Sequence, residues 1–338
     1  MLEFSIIVPV YNRPDEIEEL LESLVEQNDK DFELVVVEDG STVKCDNVIE
    51  CYKGKLNIQY FYKKNEKPSI ARNYGIARAK GNYFLFVDSD CILPPNYIKS
   101  VREELTCNYC AAFGGPDSAH QSFSAAQKAI NYAMTSFITT GGIRGGGEKI
   151  DKFYPRSFNL GFSKAVYDKL GGFPVITMHP GEDMVLAIEI IKNGFNTRLI
   201  KEAYVFHKRR TNFKQFFRQV FRFSKVRLII SKVYPETFKV FYVLPTVFVL
   251  GCLALIGLSF FSAWFLLPFA FFAAIVFADS LRINKNLWVA VLSIISSYYQ
   301  LFAYGTGFLR SIIMVNILGK DEYKVFDNGF YNKALPRD

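Results

Sequence analysis

The sequence is poor in the residues that build disulfide or zinc frameworks. Its 338 residues include six cysteines and three histidines. The Cys-X-X-Cys pair formed by Cys107 and Cys110 has His120 as its nearby third candidate ligand. A structural zinc site needs four ligands, usually from two such pairs. We therefore expect reduced thiols that face a cytoplasm, and we expect neither a disulfide scaffold nor a zinc finger.

Basic residues are missing at the N-terminus, and acidic residues are scarce in one later region. Met1-Leu2-Glu3-Phe4 runs directly into an apolar stretch, so we expect no cleaved signal peptide. Between residues 201 and 239 many lysines and arginines accompany only Glu202 and Glu236. Such a basic block predicts contact with nucleic acid or with an anionic membrane surface. The long apolar stretches that follow favour the membrane and argue against nucleic acid.

An apolar strand followed by two carboxylates lies at the centre of the predicted fold. Residues 83–87 are typical of a strand inside a parallel sheet, and Asp88 and Asp90 follow them. Because residues two apart share one face of an extended chain, both carboxylates could reach one small object. Paired carboxylates beyond such a strand suit Mg²⁺ or Mn²⁺ that holds a diphosphate. Alone, the pattern would indicate an ordinary turn.

The order of the other elements predicts a nucleotide-binding α/β domain with a mostly parallel sheet. The preceding strands and helices are expected at 4–10, 15–26, 32–37, 57–62 (an edge strand), and a helix from 69. Asn12 and Asp39 follow the first two strands, as Asp88 and Asp90 follow the fourth. Polar groups that collect at these strand ends predict a ligand-binding cleft.

The following segment is expected to complete the cleft. The glycine-rich stretch 141–147 is interpreted as either a flexible linker or a lid. Residues 155–162 predict another strand. Glu182 and Asp183 open a helix, where carboxylates are either partners of the helix dipole or reactive groups. His207, which lies among basic residues, is either structural or a metal ligand.

With these motifs in place, residues 1–210 resemble the family 2 glycosyltransferases of GT-A fold, which are inverting and metal-dependent. The segments that carry the resemblance are Ile7-Val8-Pro9-Val10-Tyr11-Asn12, Val37-Glu38-Asp39-Gly40-Ser41, Ala71-Arg72-Asn73-Tyr74-Gly75, Val87-Asp88-Ser89-Asp90 and Gly181-Glu182-Asp183. Each is short, but together, in this order, they are specific. With the basic block and the apolar C-terminal region they resemble bacterial membrane-bound members that build surface polysaccharides. Glu38 departs from the family, which often has aspartate there.

The resemblance implies a role for each matching residue. Asp90 and Asp88, with His207, would bind the metal ion, Mg²⁺ or Mn²⁺. Asp183 would be the catalytic base, with Glu182 as the alternative. The residues implied to contact the nucleotide-sugar donor are Pro9, Tyr11, Asn12, Asp39, Arg72, Asp88, Asn159, Arg209 and Arg210. The chemistry agrees, because an alcohol acceptor must lose a proton and a general base contributes about 10²–10⁴-fold to such a step.

The C-terminal part of the chain is predicted to associate with a membrane. Residues 211–238 form an amphipathic interface helix, and 239–318 hold two or three transmembrane helices, with three favoured. The basic side chains of the amphipathic helix are Lys214, Arg218, Arg222 and Lys225. The positive segment 282–285 is cytoplasmic by the positive-inside rule, which places the catalytic domain in the cytoplasm, at the inner membrane. Residues 319–338 are a polar tail.

These features predict a membrane-bound enzyme that moves a sugar from a nucleotide-diphospho-sugar to a hydroxyl of a lipid-linked or growing glycan in cell-surface polysaccharide synthesis. Membrane lipids are further partners. One alternative is a polyprenyl-phosphate glycosyltransferase, whose ionised acceptor needs no base. Another is a processive synthase, because Gln219-Val220-Phe221-Arg222-Phe223 is similar to the Gln-X-X-Arg-Trp signature of processive relatives, although Gln215-Phe216-Phe217-Arg218 fits equally well. A non-catalytic membrane scaffold would show no donor turnover.

Overall fold

The computed structural model of this protein describes residues 2–141, 153–175 and 180–319, which form two compact units. The first unit contains residues 2–118 and 153–207, and the second contains 119–141 and 208–319. Residues 119–141, which we predicted within the 1–210 catalytic domain, thus belong to the second unit. Most of the predicted glycine-rich linker or lid, and the predicted polar tail from residue 320, lie outside the described residues.

The first unit is built on two β-sheets. Its strands are β1 Phe4–Val10, β2 Phe32–Asp39, β3 Ile58–Lys63, β4 Tyr83–Val87, β5 Cys91–Ile92, β6 Ala112–Gly114, β7 Asp117–Ser118, β8 Asn159–Ser163, β9 Thr197–Leu199 and β10 Val205–His207. The larger sheet has the order β3-β2-β1-β4-β8-β6-β9, and the smaller has the order β5-β10-β7. The stretch 197–206, which reads as one strand in the sequence, is therefore divided between the two sheets.

The first four strands of the larger sheet run parallel, as predicted, and β3 lies at its edge. Phe4 pairs with Phe32 on one side and with Tyr83 on the other, so β1, β2 and β4 are in register. β8 enters antiparallel to β4, while β6 and β9 pair in parallel. Since parallel strands end at the same edge, the polar residues after β1, β2 and β4 are gathered there.

Apolar residues of β4 alternate between two cores. Tyr83 and Leu85 pack into one cluster with Ile17 of the first helix, and Phe84 and Phe86 pack into another. This alternation is the period of two expected for a strand covered on both faces. Helices therefore cover both sides of the sheet, as in other doubly covered α/β domains. In chain order the helices are α1 Pro14–Val25, α2 Asp46–Tyr52, α3 Pro68–Ile76, α4 Tyr97–Cys107, α5 Ala125–Thr135, α6 Phe137–Thr140, α7 Lys164–Leu170 and α8 Glu182–Lys192.

The second unit contains α5, α6 and the long C-terminal helices. The latter are α9 Phe213–Val233, α10 Leu244–Ser259, α11 Leu267–Asn284 and α12 Leu287–Ile312. Among the described residues, three helical segments are long and apolar enough to cross a membrane: Val240–Ser259, Ala263–Asn284 and Leu287–Ile317.

One face of α9, predicted as an interface helix, is covered by protein. Phe216 and Val220 pack into a cluster with Ile130 of α5 and Ala303 of α12. At Gly307 of α12 an added Cβ would lie 2.8 Å from the carbonyl oxygen of a residue of α9. Small residues allow such close approach of helices. The basic side chains of Lys214, Arg218 and Arg222 are exposed on α9, and Lys225 is partly buried.

Candidate active site

Asp90 is held by two basic side chains just beyond β4. Its Oδ2 accepts a hydrogen bond from Arg13 Nη1 at 2.5 Å, and its Oδ1 lies 3.2 Å from His207 Nε2. Burial would raise the pKa of the Asp90 carboxyl, but His207 and Arg13 outweigh burial and hold that pKa below its usual range. Asp90 is therefore an anion at neutral pH.

His207 reaches Asp90 because β10 pairs antiparallel with β5, with His207 opposite Cys91. Its ring stacks on Phe158 with the centroids 4.9 Å apart. Ligand atoms of Asp90, Cys91 and His207 all lie within 4.8 Å of one another. Asp90 Oδ1 and His207 Nε2 lie 3.2 Å apart, with the Cys91 sulfur in the same cluster. A carboxylate oxygen and an imidazole nitrogen that face each other are ligands that fit a divalent cation.

Asp88 is paired with an arginine and is not part of this cluster of ligand atoms. Arg72 Nη2 donates to Asp88 Oδ1 at 2.7 Å, while Arg72 Nη1 lies 3.6 Å from Glu182 Oε1. The guanidinium lies over the Phe173 ring, 5.1 Å from its centroid. Arg72 is 3% exposed, and its Nε and Nη1 find no hydrogen-bond acceptor among the described residues. A buried guanidinium with open donors suits a phosphate or carboxylate.

Glu182 and Asp183 are adjacent in sequence but differ in surroundings. Gly181, at φ 137°, precedes α8 and donates its N–H to Glu182 Oε2 at 2.9 Å. The Glu182 carboxylate is therefore buried between this N–H and Arg72. Asp183 Oδ1 accepts from Met184 N at 2.7 Å, and its Oδ2 lies 3.7 Å from Arg156 Nη1. Because its side chain is 16% exposed, against 6% for Glu182, Asp183 is the better placed of the two to exchange a proton.

Asp39 and Asn12 fix the loops at the ends of β1 and β2. Asp39 is 4% exposed, and its carboxylate accepts from Lys63 Nζ at 2.8 Å and from the backbone N–H groups of residues 66 and 67. Asn12, at φ 53°, accepts from the N–H groups of Thr42 and Val43. Tyr11 is half exposed, and Pro9 is partly buried within β1. These side chains lie at the strand ends, where the sequence predicts the donor site.

Glu38, the position that departs from the family pattern, faces away from Asp39 and into the core. Its carboxylate accepts hydrogen bonds from the Cys45 N–H and from the Tyr60 hydroxyl. Burial raises the pKa of the Tyr60 hydroxyl, and the hydrogen bond to the Glu38 carboxylate raises it further. The glutamate side chain, which is longer than the aspartate often found here in the family, therefore makes its hydrogen bonds inside the domain.

The remaining predicted donor contacts have other partners. Asn159 is fully buried; it accepts from the Tyr97 hydroxyl at 2.7 Å and donates to the Ala203 carbonyl at 2.7 Å, so it holds β8 to its neighbours. Arg209 and Arg210 belong to the second unit. There the Arg209 guanidinium donates to Asn131 Oδ1 at 3.0 and 3.1 Å, and Arg210 is exposed.

Sequence reasoning missed three residues of this region: Arg13, Cys91 and Lys63. Two of them carry a visible signal, because Arg13 directly follows Asn12 and Cys91 directly follows Asp90. Burial raises the pKa of the Cys91 thiol, and Asp90 and Asp88 raise it further. Lys63 is brought in by its contact with Asp39, which no local pattern reports.

Known proteins share both the sequence pattern and the fold. Residues 5–171 match the family model described as Glycosyl transferase family 2. An uncharacterised glycosyltransferase of Rickettsia bellii is 45% identical over 86 residues, which is 25% of this chain and 12% of that protein. The poly(ribitol-phosphate) beta-N-acetylglucosaminyltransferase TarS of Staphylococcus aureus is 42% identical over 94 residues, 27% of this chain and 16% of that protein. The matches therefore span a small part of these relatives.

A solved structure agrees over most of the chain. The mannosyltransferase PcManGT from Pyrobaculum calidifontis, solved with GDP-Man and Mn²⁺, superposes with a TM-score of 0.61 at 17% identity. The match covers 91% of this chain and 87% of that one. At this identity the likeness establishes the fold. With the parallel sheet, the strand-end carboxylates and the matching family model, residues 5–171 belong to the family 2 glycosyltransferases, and the fold is GT-A.

Proposed function

We propose that this protein is a membrane-bound inverting glycosyltransferase that transfers a sugar from a nucleotide-diphospho-sugar to a hydroxyl of a lipid-linked or growing glycan in cell-surface polysaccharide synthesis. The contrast between Glu182 and Asp183 carries the proposal. The Glu182 side chain is 6% exposed and accepts a hydrogen bond from the Gly181 N–H, whereas the Asp183 side chain is 16% exposed. A hydroxyl acceptor needs a base of this kind, and a phosphate acceptor does not.

Arg72 would receive the diphosphate of the donor. Its buried Nε and Nη1 are N–H donors without acceptors among the described residues, and guanidinium groups bind phosphate oxygens strongly. Asp90 Oδ1 and His207 Nε2, which lie 3.2 Å apart, would hold Mg²⁺ or Mn²⁺. A cation there would stabilise the negative charge that develops on the leaving diphosphate. The Mn²⁺ and GDP-Man bound to PcManGT, which shares the fold, agree with this assignment.

Asp183 would take the proton of the acceptor hydroxyl. The N–H of Met184 orients one of its oxygens at 2.7 Å, which leaves the other for the hydroxyl proton. Glu182 would act as a positioning residue, because its negative charge lies 3.6 Å from the guanidinium of Arg72 and favours the observed position of that group. Asp39 and Asn12 would shape the loops that receive the nucleobase.

The acceptor class is proposed from the membrane segments and from a relative. Three segments are able to cross a membrane, so an acceptor carried by a lipid would be delivered in the same plane as the enzyme. TarS, which shares 42% identity over 94 residues, is named for transfer to poly(ribitol-phosphate), a polymer rich in hydroxyls. Both observations support a surface-glycan acceptor.

The exposed basic side chains of α9 support docking on anionic lipid. Lys214, Arg218 and Arg222 recur at the spacing of one helix face and are exposed. Each positive charge near an anionic surface contributes about 1 kcal/mol. In nanodiscs of anionic lipid, transfer by the wild-type protein should fall as salt rises, and the variant with glutamine at all three positions should lose that dependence. Equal salt sensitivity of the wild-type protein in neutral lipid would contradict the electrostatic role.

The proposed function is tested by product identification. The purified protein is incubated with Mn²⁺, a panel of nucleotide sugars and membrane lipid extract, and the products are identified by mass spectrometry. We expect one donor to give a glycosylated lipid or glycan. Asp183→Asn should abolish this product, and Asp168→Asn, which changes an exposed carboxylate on α7, should not. Absence of donor turnover with every sugar would indicate a non-catalytic scaffold.

A further inference from the structure

A thiol lies among the ligand atoms of the proposed metal centre. Cys91 and His207 are directly opposite each other in the antiparallel β5–β10 pair, and cross-strand partners project on the same face. Asp90 immediately precedes Cys91, so that its carboxylate oxygen, the Cys91 sulfur and a His207 ring nitrogen all fall within 4.8 Å of one another. This arrangement comes from the backbone pairing itself.

The three donor atoms differ in softness, and this decides which cation they favour. Mg²⁺ takes oxygen ligands almost exclusively. Zn²⁺ binds thiolate, imidazole and carboxylate together in four-coordinate sites, and it lies above Mn²⁺ in the general affinity order of divalent metals. A set with one oxygen, one nitrogen and one sulfur, and room for a fourth ligand from solvent or substrate, therefore matches Zn²⁺ better than Mg²⁺.

Among the cysteines of the described chain, which include the buried Cys110 and Cys252, Cys91 is the one found in a cluster of potential metal ligands. Cys45 is buried, but its sulfur lies on the Glu38 carboxylate at 3.5 Å. Cys51 and Cys107 are exposed. The Cys91 sulfur is buried and has the Phe158 carbonyl at 3.6 Å as its hydrogen-bond acceptor, a weak contact that a metal–sulfur bond would readily replace.

We propose that Cys91 is a third ligand of the Asp90–His207 centre and that it makes this centre a site for Zn²⁺, which competes with the Mg²⁺ or Mn²⁺ of the transfer reaction. On binding, the Cys91 sulfur loses its proton to solvent and forms the bond to zinc; no electron is transferred. The inference rests on the proposed metal role of Asp90 and His207. Zinc would accordingly inhibit transfer by occupying the same ligands.

The test measures metal binding by a spectroscopic signal that does not depend on transfer activity. The full chain carries Cys51→Ser and Cys107→Ser, so that exposed thiols do not contribute. Cd²⁺, a soft analogue of Zn²⁺, is titrated while the ultraviolet charge-transfer band of a thiolate–cadmium bond is recorded. We expect a single saturable band that Zn²⁺ removes and that an equal concentration of Mg²⁺ does not.

Adding Cys91→Ser to this protein should abolish the band. Persistence of the band in that variant, or its absence in the parent, would overturn the inference. If Cys91→Ser fails to fold, His207→Ala decides, because it keeps the thiol and removes a neighbouring ligand. Loss of an outer-shell partner alone costs about 10–100-fold in metal affinity, so loss of His207 should weaken Cd²⁺ binding by at least that factor. Unchanged affinity would overturn the inference.

A parallel measurement separates this inference from the proposed function. Binding of a nucleoside diphosphate with Mn²⁺ is followed by calorimetry on the same samples. If Mn²⁺-dependent binding is present and the cadmium band is absent, the thiol assignment alone is wrong. If both are absent, the metal role proposed for the cluster is wrong as well.

Discussion

The end of β4 and the start of α8 each carry two carboxylates, and in each region one of the two contacts Arg72. Each presents two carboxylates, Asp88 and Asp90 in one region and Glu182 and Asp183 in the other. In each region one carboxylate is paired with Arg72, at 2.7 Å for Asp88 and 3.6 Å for Glu182. The second carboxylate of each region, Asp90 or Asp183, lies apart from Arg72 and has other partners.

The difference within each region follows from the charge requirement of the buried Arg72 guanidinium. A buried guanidinium is costly unless charged and hydrogen-bonding partners compensate it. Arg72 meets this need with one carboxylate from each region, and the remaining two are left for chemistry. Asp90 has an imidazole beside it, as a metal ligand would. The Asp183 side chain is 16% exposed, so it can be reached by an acceptor, as a base must be.

The largest effect is expected at Asp90. Asp90→Ala removes the anionic ligand of the cluster, so it should abolish metal-supported binding of a nucleoside diphosphate while leaving the fold intact. Calorimetry with and without Mn²⁺ measures the binding, and circular dichroism checks the fold. Asp88→Asn is the matched control from the same strand end and should retain metal dependence. Unchanged metal-dependent affinity of Asp90→Ala would remove Asp90 from the metal site.

The next effect is expected at Asp183. Asp183→Asn keeps the shape and the bond from Met184 but accepts no proton, so transfer should fall by about 10²–10⁴-fold with donor affinity almost unchanged. Initial rates and donor titrations measure the two quantities. If Asp183→Asn keeps near-full transfer while Glu182→Gln loses it, the base is Glu182. If neither change matters, the acceptor is a phosphate and the hydroxyl proposal is wrong.

A smaller effect, on stability, is expected when the shared cation is removed. Arg72→Met leaves Asp88 and Glu182 without their common partner, and breaking a buried pair costs about 3–5 kcal/mol. Because the Asp88 side chain is 30% exposed, the lower end of that range applies. Thermal unfolding in detergent measures the change. The control is Arg78→Met, which replaces a partly buried arginine that lies over the Tyr74 ring. An equal loss of stability in both variants would contradict the proposal that Arg72 is the shared partner of the two carboxylates.

The smallest effect is expected from Glu182→Gln. The amide keeps an acceptor for the Gly181 N–H and loses only the charge that faces Arg72, so stability should fall by about 1–3 kcal/mol. Transfer should stay within tenfold of wild type, in contrast to Asp183→Asn. A loss of transfer as large as that of Asp183→Asn would erase the distinction between positioning residue and base.

The sequence predicts the sheet well because its signals are local. Residues 83–87 are apolar on both faces, and the structure confirms them as an inner strand covered on both sides. The role of Asp88 is harder to predict, because residues two apart share a face only where the chain is extended. The strand ends at Val87, and a turn in which Cys91 N–H donates to the Asp88 carbonyl follows at once. The two carboxylates therefore diverge, one to Arg72 and one to His207.

The partners of the site are beyond local patterns. His207 is open to two interpretations in the sequence, and only the pairing of β5 with β10 brings it beside Asp90. Arg13, although it follows a recognised motif, gains its importance from a contact across the sheet. In the second unit, the amphipathic pattern of α9 predicts a helix correctly, but it does not reveal that Phe216 and Val220 face α12 and α5. Burial against protein and burial against lipid leave the same periodicity.

The pairing of β5 with β10 joins two segments that are far apart along the chain, so it can form only late in synthesis. Cys91 and His207 lie on the order of a hundred residues apart along the chain, and contacts of such long range form late because closing the loop costs entropy. During synthesis the strands up to β4 leave the ribosome well before β10. A nascent chain thus has Asp90 before it has His207, and the cluster can be completed only after β10 has been synthesised. The assembled cluster is in this sense a marker that the domain has been completed.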